Sequence, residues 1–450
     1  MAISAACILI RSVNPIPIYS RWLTRTREPG LKFLQCRMAV LHMTKDKSNL
    51  LWGVLIFLLV TVVWWIFGSR VIEQVYVTPR GANADFYLVW RGADEIWQGN
   101  TPYTDEVTRE IQINLLGRTV QPGENEYRFV YPAYEAFIFL PFTALDYLPA
   151  YLHWLTFQPI LLILALFLIF KSLTWDLPPL SFAGLILIGF SFRYFWIGMS
   201  LAQTSIFILA LLALSGYLAC RGCETWAALP LALATVKPQL AFFPILGWVA
   251  WMLARRQWRG VLLAGGMGAA LVLLPLPWIG FWVPGFYHQI SAYWGYTGAD
   301  SPLTVLASLL PGDATSAAVL LIALVVGAFY LIRLARRSKN WIPILGASII
   351  LTLVIVPLSY VYDIVLLLLP WLFALYILSR QDGKKWRVLQ IITATIPLWS
   401  WGIILLVRPL FMAQNWLFDA ALTDKFLTPI ALLIILFFAE RQGLWTKTQD

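Results

Sequence analysis

The sequence predicts an all-α polytopic membrane protein, and its composition and long apolar runs carry that prediction. Apolar residues make up 60% of the 450 residues and charged residues only 12%, whereas soluble domains contain about 45–50% and about 25%. Continuous apolar runs such as 51–68 and 315–332 approach the roughly 20 residues that a membrane-spanning helix needs. A water-soluble fold is therefore excluded.

The net charge of +10 predicts an orientation in the membrane. Basic residues concentrate in short links between apolar runs, at 255–259, 333–339, 380–387 and 441–447, and such links mark the cytoplasmic side. The same rule places both termini in the cytoplasm. Because the basic residues do not form one water-facing surface, we predict no nucleic acid partner.

The chain divides by composition into two tails and a membrane part. Residues 1–49 are polar and basic and predict a cytoplasmic tail, 50–440 form the transmembrane domain, and 441–450 form a second cytoplasmic tail. A start of translation at Met38 or Met43 is an alternative hypothesis, because MTKDKSNLLWGV reads like an ordinary cytoplasmic start before a first span.

The apolar runs also constrain one another. Thirteen runs lie between 51 and 439, but two cytoplasmic termini require an even number of crossings. The run 129–142 is short and contains Pro132, Glu135 and Pro141, so we expect a re-entrant or outer-leaflet helix there that lines a cavity. About 12 transmembrane helices remain, and 70–128 becomes a large first extracytoplasmic loop.

This loop contains the most informative helix pattern. Apolar residues recur at a helical period through ADFYLVWRGADEIW (84–97), which predicts an amphipathic helix at the membrane surface. Asp85 stands at its start. Two interpretations remain open: an N-cap, or a carboxylate at the outer face that could accept a proton from a substrate hydroxyl.

Several motifs in order resemble glycosyltransferase family 87. They are DFYLVWRGA (85–93), GNTPY (99–103), FVYPA (129–133), SLAQTSIFIL (200–209), ATVKPQLAFFP (234–244) and PLSYVYDIVLLLLP (357–370). Members of this family are polyprenol-phosphate-mannose-dependent mannosyltransferases with the GT-C fold. The resemblance implies a GT-C glycosyltransferase-like bundle in which Asp85 is the catalytic base.

Other candidate residues would bind the substrates. Lys237 is the leading cation for the donor phosphate, because a lysine deep in an apolar hairpin is costly and tends to be functional; pairing with a carboxylate or snorkelling is the alternative. Arg193 is a second phosphate candidate and Arg91 a weaker one. Gln203 matches the family glutamine and could bond sugar hydroxyls, with interhelical bonding as its alternative.

The sequence departs from the family pattern at three places. Ala202 stands where the family tends to have glycine, and Ser205 stands at the asparagine position. Tyr362, followed by Asp363, stands where the family has histidine, so this protein must either do without that histidine or use the Tyr362 and Asp363 pair at the substrate.

These residues predict transfer of a hexose, mannose by family default, from a polyprenyl-phosphate carrier to a lipid or glycan acceptor at the outer face of the plasma membrane. Membrane lipids are the other expected partners. We expect no cofactor, and no metal because no histidines have metal-ligand spacing. The alternative is a transporter or flippase of lipid-linked sugars, but no internal repeat is evident in the sequence.

Overall fold

The structure is a computed structural model of the chain, and it describes residues 47–80, 83–175, 177–297, 301–403, 405 and 420–447. Every regular element in these ranges is helical, which confirms the all-α prediction. The alternative start and nearly all of the N-terminal tail lie outside the described residues. The chain separates into two compact units, 1–51 and 52–450, and nearly all of the described residues belong to the second unit.

The first half of the chain contains two long helices and several short ones. In order they are α1 (Lys47–Ile72), α2 (Thr78–Arg80), α3 (Ala84–Trp97), α4 (Asp105–Leu116), α5 (Ala136–Thr143), α6 (Tyr147–Leu173), α7 (Pro179–Ser191), α8 (Arg193–Ser200) and α9 (Ser205–Cys220). A π-helical turn, Glu73–Val77, joins α1 to α2, so the helical chain continues about ten residues into the predicted loop.

The second half of the described chain continues with twelve helices, three of which follow 3-10 turns. They are α10 (Ala228–Leu233), α11 (Pro238–Ala254), α12 (Trp258–Leu273), α13 (Leu276–Ile279), α14 (Val283–Thr297), α15 (Pro302–Ser308), α16 (Asp313–Arg337), α17 (Trp341–Ile355), α18 (Leu368–Ser379), α19 (Lys384–Gly402), α20 (Ala420–Arg441) and α21 (Leu444–Lys447). The 3-10 turns are Ala133–Glu135, Glu224–Ala227, Ala234–Val236 and Val361–Leu367.

Helices α9, α17 and α18 form the centre of the bundle. Nearly every residue of α17 and α18 is buried, and a helix that is apolar on all sides belongs in the interior of a bundle. Helix α16 differs, because it exposes a stripe of large apolar side chains: Leu321, Ile322, Val325, Val326 and Phe329. An exposed apolar stripe of this size is typical of a surface that faces lipid.

Helix lengths agree with a membrane protein. Within the described residues four helical segments are long and apolar enough to span a membrane, and a fifth is possible if α7 and α8, bent by 52°, form one broken span. Others, such as α9, α11 and α17, are apolar but shorter. The expected total of about 12 spans and the side on which each terminus lies remain predictions.

The segment at 129–142 is short, as expected. It forms the 3-10 turn Ala133–Glu135 followed by the eight residues of α5. At about 1.5 Å per residue this helix is about 12 Å long, whereas the hydrocarbon core is about 30 Å thick. Helix α5 alone is therefore too short to cross a membrane.

Helix α3 packs against α5, so its apolar face contacts protein, while a position at the membrane surface stays a prediction. Its apolar residues Phe86, Val89 and Ala93 are buried by protein, although Trp97 at its end is exposed. Gly92 lets the ring of Phe129, which precedes the 3-10 turn before α5, lie close against α3, because a Cβ at this position would overlap that ring. The helical period of the apolar residues shows that one face of α3 is buried, but it does not show whether protein or lipid buries that face.

We expect Gly92→Ala to destabilise the protein by about 1–3 kcal/mol, the usual cost of overpacking. The matched control is Gly184→Ala in α7, where no atom lies near the added Cβ and alanine is the better helix former. Thermal unfolding of both variants in detergent measures the effect. Equal melting temperatures for Gly92→Ala and the wild type would contradict the close contact between α3 and Phe129.

Candidate functional site

Asp85 is the second residue of α3, and its side chain does not cap the helix. Asn83 is the N-cap, and its Oδ1 accepts a hydrogen bond of 2.8 Å from the Asp85 backbone N–H. The N-cap interpretation of Asp85 is therefore wrong. Its carboxylate Oδ2 instead accepts a hydrogen bond of 2.9 Å from Nε2 of Gln203, 118 positions later in the chain.

Lys237 lies at a break in the helical chain. The 3-10 turn Ala234–Val236 ends before it, and Pro238 begins α11 after it. Its side chain is buried, and Nζ donates a hydrogen bond of 2.7 Å to Oε1 of Gln203. The two ends of one amide therefore connect the Asp85 carboxylate to the Lys237 ammonium.

Asp363 holds the other side of Lys237. Its Oδ1 accepts a hydrogen bond of 2.5 Å from Oγ of Ser205 and lies 3.6 Å from Lys237 Nζ. Its Oδ2 accepts a hydrogen bond of 2.8 Å from the backbone N–H of Tyr360. Because both oxygens of this fully buried carboxylate bind the protein, the geometry favours a role in holding Lys237 over direct contact with substrate.

A tight turn fixes Gln203 between its two partners. Ala202 adopts a left-handed conformation with φ of 52°, and its carbonyl accepts a hydrogen bond of 2.8 Å from Trp154 Nε1. The Gln203 N–H bonds back to the Gly198 carbonyl at 2.9 Å. Left-handed conformations favour glycine, which explains physically why the family tends to have glycine at the position of Ala202.

Three helices begin at this cluster. Helix α3 begins beside Asp85, α9 begins at Ser205, and α11 begins directly after Lys237. Helix N-termini carry partial positive charge and unpaired N–H groups, and they bind phosphates and other anions. The lysine and the helix ends together make this part of the bundle suited to an anionic group.

A cavity of about 50 Å³ borders Lys237. Its wall is rich in aromatic side chains, contributed by Tyr131, Phe286, Tyr293, Tyr360 and Tyr362. The Lys237 ammonium lies 4.6 Å from the centre of the Tyr362 ring, and the hydroxyls of Tyr293 and Tyr360 are 2.6 Å apart. Typical ligand pockets measure about 300–1,000 Å³, so this cavity is small for a ligand pocket.

The two arginine candidates lie away from this cavity lining. Arg91 forms ion pairs with Asp94 at 2.6 Å, with Glu95, and with Glu110 at 3.0 Å, so it joins α3 to α4. Arg193 begins α8 and is half-buried, but it is not among the residues that line the cavity.

Sequence reasoning omitted two side chains of the cluster. Ser205 was considered only as a departure from the family asparagine, yet it bonds Asp363 and lies 3.4 Å from Lys237 Nζ. Glu135 is visible in the sequence only as an interruption of an apolar run, yet it is completely buried in the neighbourhood of Lys237. A lone acid in an apolar segment was the available signal.

The family model of glycosyltransferase family 87 matches residues 129–358, just over half of the chain. The chain belongs to glycosyltransferase family 87. It is thus a membrane glycosyltransferase, and the resemblance of its motifs is confirmed. No curated protein matches it. The matched range of this family 87 chain contains Gln203 and Lys237, whereas Asp85 precedes it and Asp363 follows it.

We expect Ala202→Gly to preserve the fold and to stabilise it by up to about 1 kcal/mol, because a left-handed conformation costs an L residue about 1–2 kcal/mol. The control is Ala210→Gly inside α9, which should destabilise by about 1 kcal/mol. Thermal unfolding in detergent compares them. If Ala202→Gly lowered the melting temperature as much as the control, the turn would not have the conformation described.

Proposed function

We propose that this family 87 protein transfers a hexose, with mannose the expected sugar, from a polyprenyl-phosphate carrier to a lipid or glycan acceptor. The reaction takes place at the extracytoplasmic face of the plasma membrane. One observation carries the proposal: Gln203 holds a carboxylate and an ammonium at its two ends. A base for the acceptor and a cation for the donor phosphate are the minimum that this transfer needs.

Asp85 acts as the base. It takes the proton of the acceptor hydroxyl while the hydroxyl oxygen attacks C1 of the sugar and forms the new glycosidic bond. The bond between C1 and the phosphate oxygen breaks, and its electron pair stays on the released polyprenyl phosphate. Burial raises the pKa of Asp85, while the Gln203 hydrogen bond and the positive charge of Lys237 oppose that rise. A raised pKa makes the carboxylate a better proton acceptor.

Lys237 binds the donor phosphate and stabilises the charge that grows on it as the C1–O bond breaks. The N-termini of α9 and α11 add to the positive potential there. We propose Arg193 as a second contact for the donor phosphate. Arg91, which joins α3 to α4, is a weaker candidate for the same contact. Tyr362 occupies the place of the family histidine, and its ring can stack against the sugar.

The proposal is tested by incubating purified protein with radiolabelled polyprenyl-phosphate mannose and mixed membrane lipids. We expect a labelled product from the wild type and a loss of about 10²–10⁴-fold in rate for Asp85→Asn, the usual contribution of a general base. Asp146→Asn, which changes an exposed acid at the start of α6, serves as the control and should react like the wild type.

An unchanged rate for Asp85→Asn would overturn the assignment of the base. Movement of the labelled lipid across a vesicle membrane without any product would favour the alternative, a transporter or flippase of lipid-linked sugars.

A further inference from the structure

Glu135 is a buried carboxyl group for which the proposed transfer reaction has no use. It ends the 3-10 turn that precedes α5, and its exposed fraction is 0%. Within the described part of the chain neither carboxylate oxygen makes a hydrogen bond of good geometry. An ionised carboxylate that is buried without partners is very costly, and such a group takes up a proton instead.

The polar groups around Glu135 do not supply the missing bonds. Tyr103 donates its hydroxyl to the Tyr131 carbonyl at 2.7 Å, and Tyr134 donates its hydroxyl to the Thr235 carbonyl at 2.9 Å. The hydroxyl of Tyr131 is a further neutral neighbour. The groups that favour the ionised form are the hydroxyl of Thr204 and the ammonium of Lys237.

Lys237 already interacts with two other carboxylates. It shares Gln203 with Asp85 and lies 3.6 Å from Asp363. If all three acids were ionised, one positive and three negative charges would leave a net charge of −2 before any donor bound. Protonation of one acid changes the net charge to −1 and weakens the repulsion of a phosphate, which is itself an anion.

The hydrogen bonds indicate which acid holds a proton. Asp363 accepts two bonds from protein donors and Asp85 accepts one from Gln203, and bonds of this kind favour the charged form. Glu135 accepts none of good geometry in the described residues. It is therefore the member of the three for which the neutral form fits its surroundings best.

We propose that Glu135 is a positioning residue of the donor site, which stays protonated in the working enzyme and so leaves the charge of Lys237 to the donor phosphate. This inference rests on the proposed function. When Glu135 loses its proton at alkaline pH, its carboxylate pairs with Lys237 and donor affinity falls. The effect therefore appears in KM for the donor rather than in kcat.

The test measures binding of a polyprenyl monophosphate to the full-length protein in detergent micelles, from acidic to alkaline pH. We expect the wild-type affinity to fall by about tenfold at the alkaline end, equivalent to about 1.4 kcal/mol. Glu135→Gln keeps the size but cannot ionise, so its affinity should match the wild type at low pH and stay nearly level. Asp146→Asn, the exposed control, should follow the wild type.

Two results would overturn the proposal. If Glu135→Gln loses affinity with pH as the wild type does, another group causes the fall; if the folded variant binds at no pH, the carboxylate charge itself is needed. Thermal unfolding reports folding, and Glu135→Leu decides the question by the same criteria if the glutamine variant does not fold. Binding is measured without transfer, so a failure of the proposed catalysis, seen as an unchanged rate for Asp85→Asn, is distinguishable from a failure of the role proposed for Glu135, seen as an unchanged pH profile for Glu135→Gln.

Discussion

Burial of one ammonium group is the constraint on which the site depends. Lys237 is 3% exposed in a chain of mostly apolar helices, and a buried charge is tolerated only when partners surround it. Its partners come from distant parts of the sequence: Gln203 before α9, Ser205 at the start of α9, and Asp363 in the 3-10 turn that precedes α18. The position of each element is therefore tied to this charge.

Interrupted helices make such a cluster possible. A continuous helix satisfies its own backbone and offers few polar groups, whereas a break within an apolar bundle exposes N–H groups that must line a cavity or bind protein. The chain is interrupted at Phe192 between α7 and α8, at Ala202 before α9 and at Lys237 before α11. These breaks bring polar groups into an apolar bundle, as the proposed binding of a donor phosphate requires.

The sequence predicted the parts of this arrangement that follow from composition and motifs. The helical class and the short segment at 129–142 were predictable in this way. So was the choice of Asp85, Gln203 and Lys237 as candidate site residues. The roles of the other candidate side chains depend on which residues they contact in the folded protein, and the sequence alone does not show those contacts. Arg91 could have faced a substrate, but Asp94 and Glu95 on its own helix and Glu110 on α4 pair with it. Asn83 and Asp85 could each have capped α3. In the structure Asn83 caps the helix, whereas the Asp85 carboxylate bonds to the distant Gln203.

The central claim, that the charge of Lys237 binds the donor phosphate, is tested most directly by Lys237→Gln. Glutamine removes the charge but can still donate a hydrogen bond. With folding checked by thermal unfolding, affinity for a polyprenyl monophosphate should fall by about 10²-fold, the equivalent of one charge-assisted hydrogen bond of about 1.5–3 kcal/mol. A folded Lys237→Gln protein that binds this lipid as tightly as the wild type would contradict the claim.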